Sequence, residues 1–274
     1  MQRAMTVRAG RRLIAGGLVV LAGWLASGCA TTASLVPTNM LEADKYLYDR
    51  GTELLGRRKF VQSREFFRQV VDNYPQSAFR PESKLAMGDT YYGEGSPEAM
   101  VLAQNEYKEF LTFFPTHPRA DYAQFKMGMT HLKQMLSADR DQTEAKATLV
   151  ELAAFLQRYP NSALLAESKM QLREARNRLS DADYKVGFFY WRNKWWPGAI
   201  ERFRAVANDD PEYPSRDAVF FHLADCYVKV GNKAQALPYY ERLIAEFKKS
   251  KYLAESEKAA AGIKAQIAEL MKKQ

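Results

Sequence analysis

Ser63-Arg64-Glu65-Phe66-Phe67-Arg68-Gln69-Val70-Val71-Asp72-Asn73-Tyr74-Pro75 recurs three more times, altered in residue type but constant in spacing. The copies are residues 103–115, closing on Phe113-Phe114-Pro115, residues 148–160, closing on Arg158-Tyr159-Pro160, and residues 199–211, closing on Asp209-Asp210-Pro211. Each has a large apolar residue eight places before the proline (Phe67, Tyr107, Leu152, Phe203) and another five places before it (Val70, Phe110, Phe155, Val206). Residues three apart share one face of a helix. Four places further upstream stands a small residue: Ser63, Ala103, Thr148 or Ala199. Proline lacks a backbone donor and clashes with the preceding turn, so each helix must stop there. A fifth copy, Ala236, Tyr240 and Leu243, lacks the proline and ends near Lys248.

Working outward, a second small residue lies twelve places before the first: Gly51 before Ser63, Gly187 before Ala199, and Ala224 before Ala236. This resembles the tetratricopeptide repeat, two antiparallel helices in about 34 residues. Two copies are stretched. Gly88 to Ala103 spans fifteen residues through Gly93-Glu94-Gly95-Ser96-Pro97, and Gly128 to Thr148 spans twenty with the polar insert Ser137 to Thr143. Within that insert, Asp141 is expected to cap the following helix. Between Pro160 and Pro197 no breaker occurs. The segment reads either as one long helix from Ala163 to about Asn193 or as a pair bent near Leu179 to Asp183. Leu253 to Met271 suits the capping helix that a repeat array needs at an open end. The predicted fold is all-α, a superhelical array of about five such repeats with a C-terminal cap.

The N-terminus precedes this pattern. Arg3, Arg8, Arg11 and Arg12 lead into an apolar run, Leu13 to Leu25, too short to span a bilayer as a helix. Leu25-Ala26-Ser27-Gly28-Cys29 then resembles a bacterial lipobox, with Ala26 where leucine is usual. The expected organisation is a signal peptide over 1–28, then a lipidated Cys29 with a flexible tether to residue 40. Repeats one to three follow over 41–160, and repeats four and five with the cap over 161–274. Ordinary signal cleavage near Ala26-Ser27-Gly28 is the alternative. Ala30, rather than aspartate, after the cysteine favours the outer membrane by resemblance to lipoprotein sorting. The other cysteine, Cys226, lies in an amphipathic stretch and reads as a small core residue. The net charge of +8 falls to +4 without the leader arginines, and those charges are interspersed. That is weak ground for expecting nucleic acid.

Nothing in the motifs suggests catalysis. His117, His131 and His222 have no zinc spacing with cysteines or carboxylates, and no phosphate loop or nucleophile elbow occurs. No cofactor, metal or small-molecule substrate is expected. The architecture supports binding, because first helices of stacked repeats line a concave groove. Lys45, Tyr48, Thr52, Leu55, Asp89 and Tyr92 fall at groove-facing positions. Tyr91 and Tyr92 cannot both face it, and either can be core. A second candidate patch surrounds Phe188-Phe189-Tyr190-Trp191 and Trp195-Trp196. Phe188, Trp191 and Trp195 are predicted to share one stripe, with Tyr190 and Trp196 pointing elsewhere; packing between repeats competes with docking as the explanation. Aromatic and arginine residues favour docking near Trp196 and Arg202.

Finer features narrow the family. Pro115-Thr116-His117-Pro118, Asp121-Tyr122, Met127-Gly128-Met129-Thr130, Asp139-Arg140-Asp141, Arg158 to Ser162, Arg176 to Leu179, and Phe189-Tyr190 leading to Glu201-Arg202 stand together. In these the chain is similar to the BamD family, the lipoproteins of the outer-membrane β-barrel assembly machine. The resemblance implies five tetratricopeptide repeats on the periplasmic face of the outer membrane. It implies a front half that receives unfolded outer-membrane proteins at the groove of Tyr48, Asp89 and Tyr92. It also implies a back half that docks the barrel protein BamA near Arg202, Glu201, Trp196 and Trp195, in company with other assembly lipoproteins. The family has asparagine where Glu201 stands, and its aromatic–Arg–Gly stretch is here Trp191-Arg192-Asn193-Lys194. The rival reading is a Tol-Pal-associated scaffold for cell-wall synthesis or division. Such proteins carry an N-terminal coiled coil, for which residues 30–44 are too short.

Overall fold

The computed structural model describes residues 41–272, which form eleven helices with no strand among them. The leader, Cys29 and the tether lie outside the described residues. The pairs are α1 (Ala43–Gly56) with α2 (Phe60–Asn73), α3 (Arg80–Glu94) with α4 (Pro97–Phe113), and α5 (Ala120–Gln134) with α6 (Thr143–Arg158). Then come α7 (Leu165–Arg192) with α8 (Trp196–Asp209), α9 (Arg216–Lys229) with α10 (Lys233–Glu246), and a last helix, α11 (Leu253–Lys272), on α10. Each helix packs on its successor, and α1 touches α3, α5 touches α7, and α7 touches α9. The odd-numbered helices therefore share one side, the inner side of a tetratricopeptide stack. The all-helical repeat array expected from the spacing is what the chain forms.

The small residues act as the spacing suggested, with one refinement. An added Cβ at Gly51 would lie 2.7 Å from the Phe67 ring, and at Gly88 2.6 Å from Tyr107. Gly128 and Gly187 meet Leu152 and Phe203 as closely. The partner of each first-helix glycine is thus the large residue eight before the proline, and these four are fully buried. Burial of each contributes about 1.5–3 kcal/mol. Seven residues after the small residue, the turn enters left-handed backbone at Arg58 (φ 57°), Gly95 (φ 83°), Lys194 (φ 60°) and Gly231 (φ 81°). The third repeat lacks this turn because its insert intervenes, with Met135 at φ −57°.

A second device also recurs. Two residues past each repeat's closing position, a side chain meets an acid on that repeat's own first helix. Ser77 bonds Asp44, His117 Nε2 lies 3.2 Å from Glu82, and Ser162 donates to Asp121 at 2.6 Å. Tyr213 donates to Asp181 at 2.5 Å and Ser250 to Asp217 at 2.6 Å. These five latches tie the exit of each pair to its entrance.

Between Pro160 and Pro197 the chain forms one continuous 28-residue helix. The first half of α7 sets Leu165 and Leu172 against the Phe125–Phe155 cluster, and the second sets Gly187 on Phe203. Helices α2, α4, α6 and α10 are capped by the aromatics Tyr74, Phe114, Tyr159 and Phe247, whereas α8 ends on Asp210. Asp210 is buried and accepts from Arg173 and, at 2.5 Å, from Ser180, both on α7. Burial raises its carboxyl, but these donors outweigh burial and hold it below the usual range. The capping expectation at the insert needs correction. The N-cap of α6 is Gln142, while Asp141, one place earlier, accepts from the Thr143 amide at 2.9 Å. The insert's turn delays helix entry by one residue, and the aspartate reaches over it.

Candidate partner-binding faces

The inner side of α3, α5 and α7 holds the first set. Asp89 on α3 accepts from the Tyr107 hydroxyl at 2.7 Å and the Tyr122 hydroxyl at 2.9 Å. Burial, and then this carboxylate, push both phenols well above their ordinary pKa. They remain protonated donors that tie α4 and α5 to α3. One turn on, Tyr92 turns its ring to Lys126, whose Nζ sits 3.3 Å from the centroid. Lys133 Nζ lies 4.6 Å from the same centroid and donates to the Tyr92 carbonyl at 3.0 Å. Asp89 and Tyr92 therefore belong to one cluster. Tyr48 does not join them: it stacks on Phe79 at 5.1 Å and leans on Phe67 at 6.0 Å. Tyr91 turns the other way, its ring 4.1 Å from the Arg64 guanidinium, so the alternation between Tyr91 and Tyr92 resolves with Tyr92 inward. Lys126 escapes a sequence reading because a lysine in a helix is ordinarily a solvated surface residue.

The second set lies at the C-terminal half of α7. Arg202 forms an exposed ion pair with Asp183 at 3.0 Å, and the neighbouring Glu201 is exposed. Trp195, 55% exposed, sets its ring edge-on to Tyr190 at 4.4 Å. Asp183 and Tyr190 also line a cleft between α7 and the polar insert, with Val186, Phe189, Ala138 and Arg140 around it. The insert is fastened there by Arg178 donating to the Leu136 carbonyl at 3.1 Å and by Lys185 against Asp139 at 3.5 Å. Phe189 is 61% exposed, a large apolar side chain beside an ion pair. The sequence signal for this cleft was the joint presence of Asp139-Arg140-Asp141 and Phe189-Tyr190, whose proximity only the fold reveals.

The aromatic stripe is partly redrawn. Phe188 stacks on Trp191 at 5.4 Å as expected, and both rings pack around His222. Trp195 leaves that stripe for Tyr190, and Trp196 joins Trp191, Phe221 and Asp225 in a separate cleft. The reason lies in the turn. Helix α7 ends at Arg192, and left-handed Lys194 reverses the phase that a continuing helix would have kept. Trp195 and Trp196 thus belong to different faces. Trp191 Nε1 donates to Asp225 at 2.7 Å, which satisfies the indole inside its cleft. Cys226 is fully buried, and burial pushes its thiol up to about 12, in keeping with a core role.

The turns that set the chain apart from a generic repeat also converge. Pro115 to Pro118 and Arg158 to Ser162 face one another across a single cleft with Asp121. Comparison with known proteins agrees. The chain is 27% identical to the outer membrane protein assembly factor BamD of Caulobacter vibrioides, over 83% of this chain and 73% of that protein. The Vibrio cholerae factor of the same name is 25% identical, over 72% and 82% respectively. That of Neisseria meningitidis serogroup A is 22% identical, over 86% and 92%. The model of the YfiO family, described as outer membrane lipoprotein, matches residues 41–243. From its first described helix into α10, then, the chain matches one family's model, and it belongs to the YfiO outer membrane lipoprotein family.

Proposed function

We propose that this chain is an outer-membrane protein assembly lipoprotein, a scaffold holding a BamA-like barrel protein on one face and unfolded outer-membrane protein clients on another. The observation that carries the reading is the family match across residues 41–243, whose relatives are named as outer membrane protein assembly factors. The faces suit binding rather than turnover: a tyrosine-lined inner side and an exposed apolar cleft beside an ion pair. The inner side around Tyr48 and Tyr92 receives client segments. The cleft by Phe189, Trp195, Glu201 and Arg202 receives the barrel protein, with Trp196 on the adjoining face extending that docking surface. No helix among the described residues is long and apolar enough to cross a membrane, and attachment is through lipid on Cys29.

The test is affinity purification from the outer membrane with Arg202→Glu. Recovery of the barrel partner is expected to fall about tenfold, the size of effect a docking arginine gives. Circular dichroism should not change, because an exposed pair contributes about 1 kcal/mol or less. Arg202→Glu combined with Asp183→Arg restores the internal pair but not the docking charge, so recovery should stay low. Full recovery with either variant would overturn the docking assignment.

A further inference from the structure

Lys126 sits in surroundings that the fold alone does not explain. Its ammonium lies 3.3 Å from the Tyr92 centroid and 5.8 Å from that of Tyr122. Lys133, two turns along the same face of α5, brings a second ammonium to the same Tyr92 ring. Like charges on one ring repel, and a ring offers about 2 kcal/mol to a desolvated cation, less than burying an isolated ammonium costs.

Asp89 and Glu167 act on Lys126 through space, and neither forms an ion pair with it. Neither lysine has a carboxylate within ion-pair distance among the described residues. Lys126, with three N–H donors, gives none to a protein acceptor there. The groups that act on it are Asp89 and Tyr92 from α3, Tyr122 and Lys133 from α5, and Glu167 from α7. The Asp89 carboxylate accepts from two tyrosine hydroxyls and favours the charged form of Lys126 through space. Glu167 is exposed on α7 and acts on Lys126 only at a distance. Burial pulls the Lys126 amine down to about 8. The arrangement is a cationic subsite without a direct ion-pair partner, on the side proposed above for clients.

We propose that Lys126 and Lys133, braced on Tyr92, bind a carboxylate of an extended peptide client. An entering carboxylate restores hydrogen bonds that Lys126 lacks and relieves the repulsion between the two ammoniums. Lys133 is already fixed by the Tyr92 carbonyl, so little order is lost on binding. The proposal rests on the client-groove reading and deepens it by naming the chemical group that the groove holds. The carboxylate comes from the end of the client chain or from an acidic side chain, and the experiment separates the two.

The probe is a short fluorescein-labelled peptide copied from the C-terminus of an outer-membrane barrel protein. It is compared with its C-terminally amidated twin and with a twin whose acidic side chains are converted to amides. Fluorescence anisotropy on the whole mature chain should show one of the two substitutions weakening binding about tenfold, the worth of a charge-assisted hydrogen bond. The substitution that does so identifies the carboxylate's source. Lys126→Met should weaken the parent peptide by a similar factor and abolish the difference between the twins. It should also raise the melting temperature, because a partly desolvated ammonium has been removed. Equal binding of all three peptides to the unmutated chain would overturn the subsite while leaving the groove reading intact. Failure of every peptide to bind would overturn both.

Discussion

Tyr107 shows how a single side chain joins packing to surface chemistry. Its ring fills the space beside Gly88, and its hydroxyl is pinned on Asp89. Gly88→Ala would gain about 1 kcal/mol of helix propensity. The new methyl, however, meets a ring that is fully buried and cannot swing aside, and overpacking costs about 1–3 kcal/mol. The expected net effect is a loss of up to about 2 kcal/mol in urea unfolding, with Tyr107→Leu partly compensating. Lys126 gives a sharper signature. Its amine is lowered from 10.5 to about 8 by burial, so between those values the unfolded chain binds more protons than the folded one. Stability from this group therefore rises as pH climbs from about 8 toward 10.5. Buried phenols and Cys226, held above their ordinary pKa, oppose that trend. The measurement is accordingly a difference: the stability gap between Lys126→Met and the parent should shrink across this window, and a constant gap would refute the assignment. Tyr48 packs on Phe79 and Phe67, whereas Tyr92 was legible as an inner-side candidate from helical phase. Lys126 was not, since its neighbours are gathered from three helices and no spacing within one helix announces them.

At the level of the helices, the left-handed turn of four repeats is filled by glycine twice and by Arg58 and Lys194 in the other two. A side chain in that conformation costs about 1–2 kcal/mol, which glycine avoids. Arg58→Gly should therefore stabilise the chain by about 1 kcal/mol, read as a higher melting temperature. The exposed Arg58 loses little in return, its guanidinium being 5.7 Å from the Phe60 ring. The helix pairs themselves were readable, because the proline and two large residues recur in fixed register. What the register hid was phase across a break. Trp195 was misplaced because no residue type marks Lys194 as left-handed, and Asp141 was misplaced by one residue for a related reason. Helix α7 was ambiguous because Leu179 to Asp183 contains turn-forming residues but no breaker. The structure joins them through Ser180 and Arg173 to Asp210, standing where other repeats have an aromatic cap. Asp210→Ala should cost about 2 kcal/mol by removing the acceptor that buried Ser180 shares with Arg173, with the loss visible in thermal unfolding.

Over the described residues as a whole, apolar packing is unevenly distributed. One large cluster runs from Ala199 to Ile263 through α8, α9, α10 and α11, whereas the front repeats hold smaller separate ones. In a repeat array, stability is close to a sum over units and their nearest-neighbour interfaces. Native-state hydrogen exchange should therefore show amides of α8 to α10 opening last and those of α5 and α6 well before them. Uniform exchange across all pairs would contradict that ordering. The side proposed for clients would then sit on the more yielding repeats, and the proposed machine-docking cleft beside the firmer ones. The five latches carry a different lesson, about how such a chain can be rebuilt. Each latch begins and ends within one helix pair, running from Asp44 to Ser77 in the first and from Asp217 to Ser250 in the last. A crossover with a relative's gene placed just after Ser77, His117, Ser162 or Tyr213 keeps both halves of every latch from the same parent. A crossover between a latch's two ends splits it, and chimeras made that way should be the ones that fail to accumulate.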